Sequence, residues 1–407
     1  MLLSVYREAL ESVNGRRVVR EALQDIKPDS RAPWQIIAVG KAASAMTQGA
    51  FEALGDKVID ALVISRDGHF AEVENEPRAR IVPASHPVPD QRSLDAGKLL
   101  FESLERCPRN RHLLLLVSGG ASSLVEVLRP GVSLELLQRW NQWAHASSLG
   151  IEAINAVRTR LSAIKGGQLL PHIHNETLAL FISDVPGDDP SIIGSGLLGE
   201  PRESPLPAGL PDWIQPYVGR GSAGAPDAGA TKQGSKARLR RRVVASLDQA
   251  MNAAQRAAEA QGLRVKRHDR RFSGPAVELA TRLCHELALS TEQLHVWGGE
   301  STVQLPATPG RGGRNQHLAL AAARLLVSHA GMALLAVATD GTDGSTPDAG
   351  GLVDGGTIER GTLDGLDVDE NLRKADSGTF LEAAGDLVHT GPTGTNVGDL
   401  VLGYKTN

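Results

Sequence analysis

The chain has 407 residues, of which 41% are hydrophobic, 3% are aromatic and 22% are charged, and its formal net charge is −4. This length predicts two domains or one large one, and the negative charge argues against a protein that binds nucleic acid. Charged residues follow Met1 too soon for a signal peptide, and no apolar run reaches the roughly 18 residues of a membrane span, so we expect a cytoplasmic protein without a membrane partner.

The first half of the chain alternates helix-like and strand-like segments. Helical spacing of apolar positions predicts helices at residues 3–25, 42–54, 94–106, 133–146 and 150–163. Short apolar runs predict strands at residues 34–39, 58–65, 79–83, 113–117 and 178–182. Strands buried on both faces and alternating with helices predict a doubly wound, mostly parallel, Rossmann-like α/β sheet.

Residues 219–236 are rich in Gly, Ala and Ser and almost lack large apolar side chains, which is typical of a linker or a long surface loop. We therefore expect an N-terminal domain at residues 1–220, a linker at 221–236 and a C-terminal α/β domain at 237–407. The basic run at 236–242 is interpreted as a solvated segment beside the linker, with anion binding as the alternative.

The second half again alternates the two kinds of segment. Strands are predicted from Val243 and at residues 293–297 and 333–338, and helices at residues 248–261, 276–289, 316–329 and 380–384. Cys107 and Cys284 lie in helix-like segments without metal-ligand spacing. We expect two buried thiols in a reducing compartment.

Glycine-rich loops follow several of the predicted strands. Glycine lets backbone N–H groups approach an anion closely, and a helix N-terminus favours negative charge. Lys41 lies between the first strand and a helix, where it can reach a phosphate; a surface lysine is the alternative. A second loop, with Gly119, Gly120 and Ser122, suits a phosphate nest, and a tight strand–helix turn is the alternative.

Three acidic residues crowd the loop after the strand at 178–182. Asp184, Asp188 and Asp189 repel one another unless they hold a cation or cap a helix. We expect a metal role, with Asp184 and Asp189 as ligands, or a general-base role, for which Asp184 and Asp188 remain alternatives.

Four further residues are candidates for substrate contact. Arg158 and Lys165 are seven residues apart on or near one helix, so they share a face and could bind a carboxylate or phosphate; a favourable interaction with the helix dipole is the alternative. Ser85 and His86 lie in a proline-stiffened loop, which could touch substrate or be purely structural.

The C-terminal half carries three more candidate loops. Arg314 lies among Gly312, Gly313 and Asn315 before an apolar helix, and its fork of donors suits a phosphate. Asp340 follows a strand and lacks the remaining ligands of a calcium loop, so contact with a nucleotide-bound metal or a substrate hydroxyl is favoured. The last loop could wrap a phosphate or a ribose, and its candidate residues are Thr390, Gly391, Thr393, Thr395 and Asn396.

Taken in order, these loops resemble the glycerate 2-kinase family, whose C-terminal portion is known as the MOFRL domain. The matching stretches are VGKAASAM (39–46), SHPVPD (85–90), LVSGGASSL (116–124), NAVRTRLSAIKGGQL (155–169), ISDVPGDDPSIIGSG (182–196), GGESTV (298–303), GRGGRNQHLAL (310–320), ATDGTDGSTPDAGG (338–351) and TGPTGTNVGDL (390–400). Ala121, Leu197 and His317 depart from the family's pattern, which bears on substrate preference.

The resemblance implies ATP-dependent phosphorylation of D-glycerate at its 2-hydroxyl, with Mg²⁺, giving 2-phosphoglycerate and ADP. It implies two α/β domains, with the MOFRL-like region at about 293–403 and the active site in the interdomain cleft. It also implies catalytic roles for Lys41 and Arg314, to which we add Asp184. A homodimer is left open.

Two other functions are weighed against a kinase. An NAD(P)H-dependent hydroxypyruvate reductase would need a Gly-x-Gly-x-x-Gly turn after its first strand, and no such turn is present. A non-catalytic sensor of phosphorylated sugars or acids would be expected to lack the acidic residues that this chain retains.

Overall fold

The computed structural model describes residues 1–24, 32–147, 149–201, 204–219 and 239–406. The chain divides into two compact units. The first unit is Val18–Val244, and the second unit combines Met1–Arg17 with Ala245–Asn407. The linker expected at 221–236 lies outside the described residues.

The first unit is built on a six-stranded sheet in the order β3-β2-β1-β4-β5-β6. Its strands are β1 (Trp34–Val39), β2 (Val58–Ser65), β3 (Ala79–Pro83), β4 (His112–Val117), β5 (Thr177–Ile182) and β6 (Leu239–Ala245). The pairings among β1 to β5 are all parallel. This is the order of a doubly wound sheet, and its topological switch point lies between β1 and β4.

Helices connect these strands. They are α2 (Gly15–Gln24), α3 (Ala43–Leu54), α4 (Gln91–Arg106), α5 (Ala121–Leu124), α6 (Leu134–Ala146), α7 (Ile151–Leu161) and α8 (Gln215–Val218). The runs at 113–117 and 178–182 are fully buried, as strands covered by helices on both faces must be. The predicted parallel α/β architecture of this half is confirmed.

The second unit has a seven-stranded mixed sheet within the described residues. Its strands are β7 (Val265–Arg267), β8 (Phe272–Pro275), β9 (Leu294–Thr302), β10 (Met332–Ala338), β11 (Gly350–Asp354), β12 (Leu387–Val388) and β13 (Asp399–Lys405). The order is β12-β11-β10-β13-β9-β7, and β8 pairs with β9. Strand β13 is antiparallel to both of its neighbours, β10 and β9.

The helices of the second unit are α1 (Leu2–Ser12), α9 (Leu247–Glu259), α10 (Ala276–Leu289), α11 (Arg314–Leu326), α12 (Thr357–Leu363), α13 (Val368–Arg373) and α14 (Ser377–Ala383). Helices α10 and α11 bury Leu and Ala side chains against the sheet. The register of β13 sets Asp399 beside Ala338 of β10 and Gly299 of β9. Asp399 therefore begins its strand at the edge where β9 and β10 end.

Three details differ from the sequence-based expectations. The single helix expected at 3–25 is two helices, because the chain breaks at 13–14, and α1 packs on α9 in the second unit. Val243 lies near the end of β6 and not at its start. The basic residues at 240–242 belong to this strand, where Arg241 donates to the Leu198 carbonyl at 2.7 Å.

Both cysteines are buried free thiols, as predicted. Burial raises the pKa of Cys284 to about 12. Among the described residues, no helix is both long enough and apolar enough to cross a membrane.

Tyr6 anchors α1 within the second unit, so substitutions of Tyr6 are expected to lower the free energy of unfolding. Its ring is buried, and its hydroxyl donates to the Ala338 carbonyl at 2.8 Å. We expect Tyr6→Phe to lower the free energy of unfolding by about 1 kcal/mol and Tyr6→Ala by about 3–5 kcal/mol, since the latter also leaves a cavity. Urea denaturation measures both, with the exposed Tyr217→Phe as control. Unchanged stability of Tyr6→Ala would show that α1 is dispensable.

Candidate active site

The loop after β1 packs directly on the loop after β4. The Lys41 amide donates to the Gly119 carbonyl at 2.9 Å, and the Ala42 amide donates to the Ser118 hydroxyl at 3.1 Å. Gly40 has φ 133°, and a Cβ on it would lie 2.1 Å from the Ser118 Oγ atom. Only glycine allows this approach, which holds Lys41 at the switch point of the sheet.

His86 and Lys41 both pack against Gly120. A Cβ built on Gly120 would lie 3.0 Å from the His86 Cδ2 atom and 3.2 Å from the Lys41 Cγ atom. His86 reaches this point from the loop after β3. The structure therefore brings three predicted residues together, while Ser85 precedes His86 in the same loop.

Asp184 lies at the end of β5, the strand next to β4. Neighbouring strands lie about 4.8 Å apart and parallel strands end at one edge, so this loop flanks the two phosphate-type loops. Asp188 adopts φ 52°, and the Asp189 Oδ1 atom accepts the Ser191 amide at 2.8 Å. One carboxylate oxygen of Asp189 thus shapes its own turn.

Ser122 joins the β4 loop to the segment that follows the acidic loop. Its Oγ atom is 2.7 Å from that of Ser195, whose hydroxyl also donates to Asn155 at 3.3 Å. Ser195 adopts φ 57°, which is uncommon outside glycine. These contacts fix the distance between two of the candidate loops.

Lys165 and Arg158 both have internal partners. Lys165 is buried and forms an ion pair with buried Glu126, which also accepts the Ser162 hydroxyl at 2.6 Å. Burial lowers the pKa of Lys165, and Glu126 opposes that shift. Arg158 donates to the Asn141 side chain at 3.0 Å. Their substrate role stays a prediction, and the buried pairing favours a structural part for Lys165.

Arg314 begins α11 in the second unit and is held by two carboxylates. Its Nε atom donates to Asp399 Oδ2 at 2.6 Å, and its Nη2 atom donates to Asp399 Oδ1 at 3.1 Å and to Glu300 at 2.9 Å. Asp399 is fully buried, whereas the Arg314 side chain remains 37% exposed. Burial alone would lower the Arg314 pKa, but Asp399 and Glu300 raise it above its ordinary value.

Asp343 caps the N-terminus of α11. It accepts the backbone amides of Asn315 at 3.1 Å and Gln316 at 2.8 Å. Gly312 and Gly313 lead into this turn, and Gly313 packs against Asp343. Burial raises the Asp343 pKa to about 7, although the two amides lower it in part. Within the described residues, the side-chain oxygens of Asn315 and Thr395 are buried without a partner, which suits polar ligand groups.

The loop at 390–396 covers the end of β10. Thr393 donates to the Thr339 carbonyl at 2.5 Å, and Gly391 lies against Gly341. Asp340 is buried there and accepts the Thr342 amide at 3.0 Å. Thr390 and Thr393 also line a cavity of about 1030 Å³ bounded by α1, β11 and β12. Asn396 is buried at the loop's end, two residues before Gly398.

Carboxylates of the first unit could serve a small divalent cation. In the part of the chain that the structure describes, no three His, Cys, Asp or Glu side chains cluster as a ready-made metal cage. Mg²⁺ usually takes only one or two protein carboxylates and fills its remaining positions with water and phosphate oxygens. Asp184 and Asp189 provide oxygen donors of that kind, so the donor set fits a nucleotide-bound magnesium ion.

Sequence reasoning missed Asp399, Glu300 and Glu126. Glu300 was visible in the Gly298-Gly299-Glu300 strand end, and Asp399 lay in the last matching motif. Neither pattern identified Arg314 as the partner of these carboxylates, because Glu300 and Asp399 lie 14 and 85 residues from Arg314 in the sequence. His317, which departs from the family's pattern, is buried, and its Nδ1 atom lies 2.9 Å from the Ser377 hydroxyl.

Comparison with known proteins covers nearly the whole chain. A model described as a domain of unknown function, DUF4147, matches residues 1–205, and the MOFRL family model matches residues 293–399. A D-glycerate 2-kinase from Thermotoga maritima is 33% identical, over 99% of this chain and 97% of that protein. A glycerate 2-kinase from Pyrococcus horikoshii is 32% identical, over 91% and 87%. A crystal structure of a T. maritima glycerate kinase matches with a TM-score of 0.80 at 30% identity, covering 99% of this chain and 98% of that one.

The raised pKa of Asp343 predicts a pH effect on stability. Between its ordinary value of 3.8 and about 7, the folded state holds a proton that the unfolded state has lost. Below the unfolded-state pKa of 3.8 this proton contributes its full stabilisation of the folded state. That stabilisation is lost as the pH rises through the folded-state pKa of about 7. Asp343→Asn should remove this loss, which amounts to at most about 4 kcal/mol.

Urea denaturation from pH 4.5 to 8 measures this effect, with exposed Asp369→Asn as the matched control. If Asp343→Asn kept the wild-type dependence on pH, the assignment of the shift to this carboxyl would be refuted.

Proposed function

The chain belongs to the glycerate 2-kinase family, and we propose that it transfers the γ-phosphoryl group of ATP to the 2-hydroxyl of D-glycerate. The products are 2-phosphoglycerate and ADP. The single observation that best supports this reaction is the alignment at one edge of the parallel sheet, where a lysine, a glycine-rich turn and an acidic loop follow β1, β4 and β5. These are the parts that phosphoryl transfer needs.

The reaction is an in-line displacement. The glycerate 2-hydroxyl oxygen forms a bond to the γ-phosphorus as the bond from phosphorus to the bridging ADP oxygen breaks. Lys41 and Arg314 stabilise the negative charge on the moving phosphoryl group, so catalysis rests on positioning and electrostatics. The hydroxyl proton passes to a carboxylate, for which Asp184 and Asp188 are the candidates.

The other candidate residues bind the two substrates. Gly119, Gly120 and Ser122 contact phosphate oxygens, and Gly312, Gly313 and Asn315 do so at the start of α11. The loop with Thr390, Gly391, Thr393, Thr395 and Asn396 takes part in nucleotide binding. Ser85, His86, Arg158 and Asp340 are proposed for glycerate.

Asp184 and Asp189 are the proposed ligands of Mg²⁺, and one Asp189 oxygen also accepts the Ser191 amide. When bound, the ion neutralises charge on the ATP phosphates. Asp184 follows β5, whose carboxyl end lies at the same edge of the sheet as the loop that carries Lys41.

An assay of the purified protein with ATP and D-glycerate tests the proposed activity. Coupled detection of ADP should show turnover that EDTA abolishes and Mg²⁺ restores. Phosphorus NMR should place the new ester on carbon 2. Oxidation of NADH by hydroxypyruvate without ADP formation would instead support the reductase. An ester on carbon 3 would contradict the 2-hydroxyl as the phosphoryl acceptor.

Lys41→Ala and Arg314→Ala should each lower kcat at least about tenfold, because each removes a cation that acts in the transition state. Steady-state kinetics measures the loss, and circular dichroism checks the fold. Exposed Lys57→Ala and Arg324→Ala, the latter on the same helix as Arg314, are matched controls. Near-normal turnover of either site variant would refute its assignment.

A further inference from the structure

Two carboxylates hold Arg314, and they differ in burial and geometry. Asp399 is 1% exposed and contacts both the Nε and Nη2 atoms, whereas Glu300 is 55% exposed and contacts Nη2 alone. A two-point contact fixes the plane of a guanidinium, and a one-point contact does not. Asp399 and Glu300 therefore cannot have the same effect on the orientation of the Arg314 guanidinium.

We propose that Asp399 is the positioning residue of Arg314 and that Glu300 is an exchangeable counter-ion, which releases Arg314 when a nucleotide phosphate arrives. This inference rests on the proposed function for its substrate. Neither the glycine-rich loop nor the position of Arg314 on α11 explains why two carboxylates contact this guanidinium. The proposal gives each carboxylate its own role.

The backbone holds Asp399 in place. Asp399 begins β13 and pairs with Ala338 on one side and Gly299 on the other, in the middle of the sheet. A carboxylate there cannot follow a moving partner, because both neighbouring strands fix its backbone. Asp343 fixes the other end of the arrangement by accepting the Asn315 and Gln316 amides at the start of α11.

The Glu300 side chain can leave its contact with Arg314. It lies near the exposed end of β9, and an ion pair between exposed side chains contributes little to stability. With Asp399 and Glu300 both bound, one cation faces two negative charges, which opposes the approach of a phosphate. Loss of the Glu300 contact frees an Nη2 donor for that phosphate while Asp399 keeps the guanidinium plane fixed.

The test compares Asp399→Asn and Glu300→Gln in the intact enzyme. Asp399→Asn should lower kcat about 10- to 100-fold while the KM for ATP changes less than about threefold, because a misplaced cation affects the transition state most. Glu300→Gln should keep kcat and bind ATP up to about fivefold more tightly, measured by calorimetry. Glu382→Gln, which removes an exposed acid paired with Arg311, should change neither.

A second comparison separates positioning from a general structural role. If Asp399 acts through Arg314, Asp399→Asn should cause no further loss of kcat in an Arg314→Ala background. An equal loss in both backgrounds would overturn the positioning role, as would near-normal kcat of Asp399→Asn. A fall in kcat of Glu300→Gln to the level of Arg314→Ala would overturn the exchange.

Thermal melts show whether each variant is folded. Should Asp399→Asn not fold, Glu300→Gln and the Arg314→Lys variant decide the matter, since a lysine cannot make the two-point contact and should lose kcat to about the level of Arg314→Ala. Full activity of Arg314→Lys would contradict the need for a fixed plane. A wild-type enzyme that fails to phosphorylate D-glycerate contradicts the proposed function, which is a distinguishable result.

Discussion

The contact between the loops after β1 and β4 is the constraint on which the proposed chemistry of the first unit depends. Gly40 lies so close to Ser118 that a side chain there would collide with it, and the Lys41 amide is tied to Gly119. Parallel strands end at one edge, so this contact, the glycine turn and the acidic loop share that edge. The fold thereby places a cation and carboxylates together without bringing them from distant surfaces.

Burial determines which charged groups are available for substrate. Lys165 and Glu126 are both buried and neutralise each other, so their charges are committed within the first unit. Arg314 shares its charge with buried Asp399 but keeps more than a third of its side chain exposed. A buried carboxylate needs a partner, and an arginine has enough donors to satisfy that partner and still bind another anion. This difference in exposure distinguishes Lys165 from Arg314, the proposed catalytic cation.

The features that could be predicted from sequence were local. Short buried apolar runs marked β1, β4 and β5, and the helix after Arg314 followed from its apolar spacing. Asp399 could not be assigned, because it is the first residue of its strand and reaches the site only through antiparallel register. The pairing of Glu126 with Lys165 spans 39 residues. The packing of α1 on α9 is equally remote in sequence, so no spacing rule predicts it.

The central claim is that Lys41 and Asp184, both in the first unit, act on the same phosphoryl group in one transition state. A double-mutant cycle on kcat for ATP and D-glycerate, using Lys41→Ala, Asp184→Asn and the double variant, tests it most directly. Groups that act together give strongly non-additive losses, so the account predicts that the double variant is little slower than the slower single one. A double variant whose loss equals the product of the two single losses would show that the two side chains act independently, and it would contradict the account.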